Sequence, residues 1–325
     1  MGTDSWLGVE LRHFLALEAV AREGSFGKAA TSLGYTQSAV SQQIATLERI
    51  VGHRLVERPG GPRPVSLTEA GRLLLRHADA IAARMAAAQA DLTALAEGQA
   101  GTLRVGVYQS VENKILPEAL RRFKAGWPDV DVQLTEDSYE ASLVAAVEHG
   151  DIDLTFSIEP IPDGPFEVRR LMRDPYVLLV PAGSAAKETR VSLAVLDGAP
   201  MVAYQHLRHQ DLAEDFLRAR GVRPKIVFRS NDNGTVQAMV ASGLGVALAP
   251  LLAVDENDPR IRLQLPVEPV PPRVLVVVWH RDRYRPPSAL AFVETAISVA
   301  AEMERSHERM LARLGSRTRR RRPQR

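Results

Sequence analysis

Cysteine is absent from the 325 residues, which removes disulfides and thiolate metal sites and fits a reducing, cytoplasmic compartment. No apolar run approaches the roughly 20 residues that span a bilayer, so no membrane partner is expected. Met1 to Glu10 contains no basic stretch followed by an apolar one, and no secretory leader is read there. A strong charge of one sign is also missing, the formal net charge being only +2. Residues 1–97 hold ten Lys and Arg against ten Asp and Glu, while 301–325 hold nine Arg against three Glu. The stretch between them is therefore net acidic. A basic N-terminal face cannot be the argument for nucleic acid, so the argument must rest on pattern. No internal repeat is present.

Sequence that looks catalytic is fragmentary. No G-x-S-x-G or H-E-x-x-H occurs. Gly243-Leu-Gly245 is half of a dinucleotide fingerprint, and it follows a helical pattern instead of a strand. Ser25-Phe-Gly-Lys28 and Ser184-Ala-Ala-Lys187 have the spacing of a serine acylase, but no K-T-G or S-D-N follows. His206 and His209, with Asp211 beside them, lack the third or fourth ligand of a metal site. The two histidines are read as contacts to solvent or to an anionic ligand. No enzyme, no metal and no cofactor is expected.

The length suggests about two domains. Residues 9–66 carry short helical patterns. Leu11, Phe14, Leu15 and the Val20/Ala21 pair repeat at helical spacing until Gly24. Ser25 can cap a second helix with Phe26, Ala29, Ala30 and Leu33 apolar, and Gly34 suits its left-handed end. Only Gly34 and Tyr35 precede Thr36, the next cap. Two short helices joined this tightly, with small residues at their crossing, are what a helix-turn-helix requires. The third helix, Thr36 to Ile50, buries Val40, Ile44 and Leu47. Its opposite face carries Ser38, Ser41, Gln42, Ala45 and Arg49, with Gln37 at its start and Ser25 and Thr36 as caps. Gln suits adenine, Arg suits guanine or phosphate, and Ser suits either base edges or phosphates. Beyond Gly52, Arg54 to Arg58 and the turn Pro59-Gly-Gly-Pro62 read as a hairpin wing with Arg54, Arg58 and Arg63 on it. The alternative is a solvated polar face on a small helical bundle.

Ser25-Phe-Gly-Lys-Ala-Ala30, Leu33, Thr36-Gln-Ser-Ala-Val-Ser41, Gln43-Ile44, Leu47-Glu48, Gly52-x-Arg-Leu55, Glu57-Arg58 and Leu67-Thr-Glu-Ala-Gly71 follow one order. That order resembles the DNA-reading domain of LysR-type transcriptional regulators, over nearly all of residues 9–71. Val56 stands where the family usually has Phe, and the Pro/Gly-rich wing tip is a second departure. The resemblance implies a third helix in the major groove of double-stranded promoter DNA, a wing on the backbone, and RNA polymerase as a further partner.

Residues 67–98 are Ala- and Leu-rich. Leu67, Gly71, Leu74, Ala78, Ile81, Met85, Ala88, Leu92 and Leu95 alternate four and three apart, a heptad pattern that predicts a long linker helix serving as a coiled-coil seam. Small Gly71, Ala78 and Ala88 are expected to let two helices approach. The alternative is a surface helix packed on its own domain. The resemblance implies a homodimer, commonly a homotetramer.

Residues 101–300 alternate apolar runs with amphipathic segments, predicting an α/β effector domain of two lobes joined by crossing strands, with parallel sheets covered on both faces. Lobe 1 is expected over about 101–175 and 272–300, and lobe 2 over about 176–271. The resemblance is to periplasmic solute-binding proteins, as in LysR-type sensors. Ligands in such sheets sit beyond the carboxyl ends of strands. Ser110, expected to cap the helix after Leu103–Val107, is the leading effector contact, with Gln109 beside it. Tyr204, Gln205, Asn233 and Thr235 are expected to face the same cleft, and Asp137 and Ser138 are weaker candidates. Each could equally serve a cap or turn. Residues 301–325 are expected to be a basic, disordered tail ending in Arg319–Arg322. The reading is thus a winged helix-turn-helix regulator with a small-molecule effector. A cytoplasmic solute-binding protein without DNA function is the rival.

Overall fold

The computed structural model describes residues 6–57, 64–97, 101–185, 188–205 and 207–317. The chain divides into two units, Met1–Gln89 and Ala90–Arg325.

In the first unit α1 (Leu11–Glu23), α2 (Phe26–Leu33) and α3 (Gln37–Val51) pack around Leu17, Val20, Ala29, Val40, Ile44 and Leu47. Gly24 and Gly34 end α1 and α2 at φ 62° and 70°, the left-handed region where a missing Cβ removes the steric cost. Ser25 and Thr36 accept hydrogen bonds from the amides of Lys28 (3.5 Å) and Ala39 (3.2 Å), so the expected caps are in place. The wing strands β1 (Val56–Glu57) and β2 (Ser66–Leu67) pair antiparallel. The turn Pro59–Pro62, together with Arg58 and Arg63, lies outside the described residues.

Helix α4 (Glu69–Glu97) is the predicted linker, but its pattern serves two purposes. Leu74 and Ala78 are buried in the core of the first unit, so Leu74 is not a seam residue. Gly71 likewise has a role inside its own unit. A Cβ there would stand 2.1 Å from the Leu55 carbonyl oxygen, so the glycine admits the wing backbone and does not serve a second helix. Further along, Ile81, Met85 and Leu92 remain exposed. The side chain of Leu95 lies outside the described residues.

The second unit runs β3 (Thr102–Val107), α5 (Gln109–Lys114), α6 (Leu116–Gly126), β4 (Asp131–Glu136), α7 (Glu140–His149), β5 (Leu154–Ile158) and β6 (Phe166–Asp174). It continues with β7 (Tyr176–Pro181), β8 (Arg190–Val191), β9 (Pro200–Ala203), α8 (Arg208–Arg218), β10 (Lys225–Arg229), α9 (Asn233–Ala241), β11 (Ala247–Pro250), β12 (Ile261–Pro266), β13 (Arg273–His280) and α10 (Pro287–Arg317). Lobe 1 is a five-stranded sheet in the order β4-β3-β5-β13-β6. Only β3–β4 and β3–β5 are parallel. Strand β13 returns antiparallel to both β5 and β6, so the expected parallel arrangement holds for β4, β3 and β5 and the sheet as a whole is mixed. Lobe 2 contains the sheet β11-β7-β12-β8 and the parallel pair β10-β9, linked by a bridge between Met201 and Val246. The chain passes between lobes at Asp174-Pro-Tyr176 and again before Arg273.

Helix α10 overturns the expected tail up to its end at Arg317. Phe292, Ala296, Val299 and Ala300 pack into the lobe 1 core, and Glu302 makes a bidentate pair with Arg122 at 2.7 Å. Two residues later Glu304 accepts from the Arg173 amide (2.9 Å). Met310 and Leu311 then pack against the lobe 2 core. The run Arg319–Arg322 lies outside the described residues.

Candidate functional sites

The first site is the exposed face of α3. Gln37, Ser38, Gln42, Ala45 and Arg49 are solvent-accessible and Ser41 is half-buried, while Val40, Ile44 and Leu47 are sealed beneath. No acid interrupts this face, so nothing on it repels phosphate. Its caps are partly committed: Ser25 and Thr36 hold helix amides, and Thr36 also shares a 3.0 Å contact with Ser38. Arg54 is exposed, and its carbonyl accepts from the Thr68 hydroxyl at 2.7 Å. A residue the motif contained without a stated role fixes the wing. The Glu48 carboxylate accepts from the amides of Leu55 (2.8 Å) and Val56 (3.2 Å), tying α3 to β1. Glu48→Ala should therefore cost about 1.5–3 kcal/mol of reader stability, as for hydrogen bonds to a charged group. Denaturant unfolding and wing-side footprinting read the effect. Glu48→Gln should recover much of it, and an unchanged midpoint in Glu48→Ala would refute the tie.

The first unit also carries an apolar groove of about 190 Å³ between α1 and α4, lined by Leu11, Phe14, Leu15, Leu75, Ala82 and Met85 among others. Leu11, Leu15 and Met85 are exposed along it, and Ile81 is exposed elsewhere on the same helix α4.

The second site lies between the lobes, where buried polar side chains converge. Arg273 donates from Nε to Asp174 Oδ2 (2.6 Å) and from Nη2 to Ser110 Oγ (2.8 Å). Asp174 is wholly buried and also accepts from the Leu252 amide (2.9 Å). Around this pair stand Tyr108, Tyr176, Tyr204 and His209, all buried. Burial pushes the three phenols above their ordinary range and pushes the His209 imidazole below its own, so His209 is neutral at pH 7. The Tyr176 hydroxyl donates to the His209 carbonyl (2.8 Å), and the His209 ring packs edge-on against Tyr204. Two cavities open here. One of about 180 Å³ lies beside Glu140 and Leu207, and one of about 400 Å³ lies between α5 and α9, beside Lys114 and Asn233.

The predicted contacts distribute unevenly. Ser110 is buried at the lobe junction but is no cap: α5 starts at Gln109 and its cap position is Tyr108. Gln109 spans the lobes, donating to Asp232 Oδ2 (2.7 Å) and accepting from the Asn233 amide (2.7 Å). Thr235 is held by the same Asp232 through its backbone amide. Tyr204 is a core residue of lobe 2 whose carbonyl accepts from Arg229 (2.7 Å). Gln205 and Ser138 are exposed, and Asp137 is occupied with the Tyr139 amide (2.8 Å). His209 does not face solvent as expected, since burial turns it toward Glu140, and His206 lies outside the described residues.

Sequence reasoning missed Arg273, Asp174, Tyr108, Tyr176 and Glu140. One signal was available: a lone charge heading the apolar run Val274–Trp279 just after Pro271-Pro272. An arginine entering an apolar strand must find an anion.

Residues 11–72 match the model for the bacterial regulatory helix-turn-helix protein of the lysR family, and residues 96–301 match the LysR substrate binding domain. The transcriptional regulator IlvR of Caulobacter vibrioides is 32% identical over 86% of this chain and 94% of its own. A RuBisCO operon transcriptional regulator of Allochromatium vinosum is 31% identical over 91% and 98%. Among solved structures, full-length CbnR complexed with its target DNA has a TM-score of 0.61 at 23% identity, over 90% of this chain and 100% of that one. A full-length OxyR variant from Pseudomonas aeruginosa has a TM-score of 0.56 at 22% identity, over 89% and 99%. At these identities both structures speak for the fold.

Proposed function

The chain belongs to the LysR family of DNA-binding transcriptional regulators, and from that premise we propose that it acts as a homo-oligomer whose promoter grip is set by a small molecule held between the lobes. The observation carrying this reading is that one small unit presents both an acid-free polar helix face and an uncovered apolar groove. The α4 of a second copy fills that groove, with Ile81, Met85 and Leu92 continuing the seam. A reader with no net positive charge gains affinity by engaging two half-sites at once. CbnR, solved in complex with its target DNA, and the RuBisCO operon regulator support promoter DNA as the partner.

In the effector step, the ligand changes the relative stability of two lobe arrangements and thereby the angle between paired readers. Ser110, Gln109, Asn233 and Arg273 stand at the junction that such a change must rearrange. RNA polymerase at the same promoter reads the altered DNA geometry. The cytoplasm, where such DNA lies, is the compartment this requires.

The deciding experiment captures sheared DNA of the source organism with purified protein and sequences what is retained. Enrichment of one interrupted palindrome is expected. The double variant Ile81→Asp, Met85→Asp should sediment as a monomer and lose at least about a hundredfold in affinity for that site, the order of gain that linkage of two sites supplies. A dimeric variant with unchanged affinity would remove the seam, and retention of no specific fragment would remove the DNA reading.

A further inference from the structure

The charges buried at the lobe junction do not cancel. Arg273 is matched by Asp174, and His209 is neutral. Glu140 is left over. Its side chain is 14% exposed, and its one ion-pair neighbour within 4 Å among the described residues is His209, whose Nδ1 is 3.8 Å from Oε1. That separation is beyond hydrogen-bond reach. Burial opposes charge on Glu140, and the neighbouring His209 and, more remotely, Arg273 act the other way, so that its carboxyl lies below the usual range. Its place in the first turn of α7 also favours the anion. Buried His209 Nδ1 and the Tyr108 hydroxyl have no hydrogen-bond partner, and both titrate within the field of Glu140. Groups buried this deeply are ordinarily satisfied, and orphans require an explanation.

Glu140 itself, unlike those two groups, lies on the wall of a cavity. Tyr139, Glu140, Ser157 and Arg208 supply the polar part of the wall of the 180 Å³ cavity, and Ala141, Val144, Ile158, Pro162 and Leu207 the apolar part. Drug-sized sites run to about 300–1,000 Å³, whereas an apolar cavity of about 150 Å³ takes a molecule the size of benzene. The space thus suits a short branched hydrocarbon with one polar head. The exposed Arg208 on this wall belongs to lobe 2, as Leu207 does.

We propose that the interlobe site of this chain takes a small aliphatic ammonium compound, its ammonium on Glu140 and its hydrocarbon body against Val144, Ile158, Pro162 and Leu207. This rests on the interlobe reading given above and assigns its ligand class. The anionic ligand considered for His206 and His209 thereby gives way to a cationic head. Arg208 can receive a carboxylate at the other end, so an amino acid and a plain amine share the same recognition chemistry.

Isothermal titration of the full-length protein with 3-methylbutylamine, L-leucine and 4-methylpentanoate tests this. The two ammonium probes should bind, and 4-methylpentanoate, which lacks the ammonium, at least tenfold more weakly. Glu140→Gln, isosteric and uncharged, should weaken the ammonium probes by about tenfold to a hundredfold, the effect of one charge-assisted contact. Arg208→Ala should weaken L-leucine alone if the natural ligand is an amino acid, and neither probe if it is a plain amine. Ala141→Trp, at an exposed position on the cavity wall, should block every probe. The ammonium assignment falls if the carboxylate binds as tightly as the amine, if Glu140→Gln changes nothing, or if no ammonium probe binds up to about 10 mM. If 4-methylpentanoate binds, survives Glu140→Gln and is lost in Ala141→Trp, the interlobe site stands with a different ligand class. A probe that still binds to Ala141→Trp sits elsewhere, and the interlobe reading itself falls.

Discussion

Arg273→Met is expected to lower the unfolding free energy of the sensor by about 3–5 kcal/mol, the range for removing one partner of a buried ion pair. The loss arises from what remains. Asp174 is fully buried, and without the guanidinium its Oδ2 keeps a charge that neither the Leu252 amide, bonded to Oδ1, nor any solvent compensates. Ser110 loses its donor in the same step. Urea titration followed by sensor tryptophan fluorescence measures the change. The double variant Arg273→Met, Asp174→Asn should recover more than half, because the asparagine still accepts from Leu252 without a net charge. If the single variant cost under about 1 kcal/mol, or the double variant more than the single, the pair would not be the electrostatic anchor described. The two residues stand at the two chain crossings between lobes, so the same variants should also alter ligand response at concentrations where the sensor stays folded.

Gly71→Val should disable the reader while sparing the sensor. A Cβ at this position would approach the Leu55 carbonyl oxygen to 2.1 Å and its carbonyl carbon to 3.0 Å. Both are backbone atoms, so relief requires moving the wing off α4. Overpacking of this kind costs about 1–3 kcal/mol or more, which for a domain of this size lowers the melting temperature by roughly 4–8 °C per kcal/mol. Hydrogen exchange along α3 should accelerate and promoter affinity should fall, while amides of β5 and β13 keep their protection. Unchanged protection in α3 would show that the wing yields freely.

Much of the reader was legible because its determinants are local. Ser25, Gly34 and Thr36 act within three residues of themselves, and one sequence contains everything they touch. The linker shows where a local pattern stops being informative. A heptad stripe states that one side of α4 is apolar, but not what covers it. Leu74 and Ala78 are covered by the core of their own unit, whereas Ile81, Met85 and Leu92 stay largely exposed among the described residues. The interlobe cluster was mostly illegible for a related reason. Asp174 and Arg273 lie 99 residues apart, and each alone resembles an ordinary solvated charge. Strand β6 was passed over because Arg169, Arg170 and Arg173 interrupt its alternation, though the fold turns them outward. The C-terminal half of α10 was read as tail from its arginines. The spacing of Met303, His307, Met310 and Leu314 already described a helix with one sheltered side.

That helix changes the mechanics of the sensor. Two chain crossings alone would let the lobes swing like a hinged door, with little resistance in the opening direction. A rod seated in lobe 1 at Phe292 and Ala296 and in lobe 2 at Met310 and Leu311 acts as a brace across that door. Swinging the lobes apart would have to bend the rod or unseat one end, and both are costly in apolar surface. Turning one lobe about the long axis of the rod does not bend it, but must slip one of the two seats. The lobes are thus coupled by three connections, and their relative motion is limited to small slides and twists that keep Phe292, Ala296, Met310 and Leu311 covered.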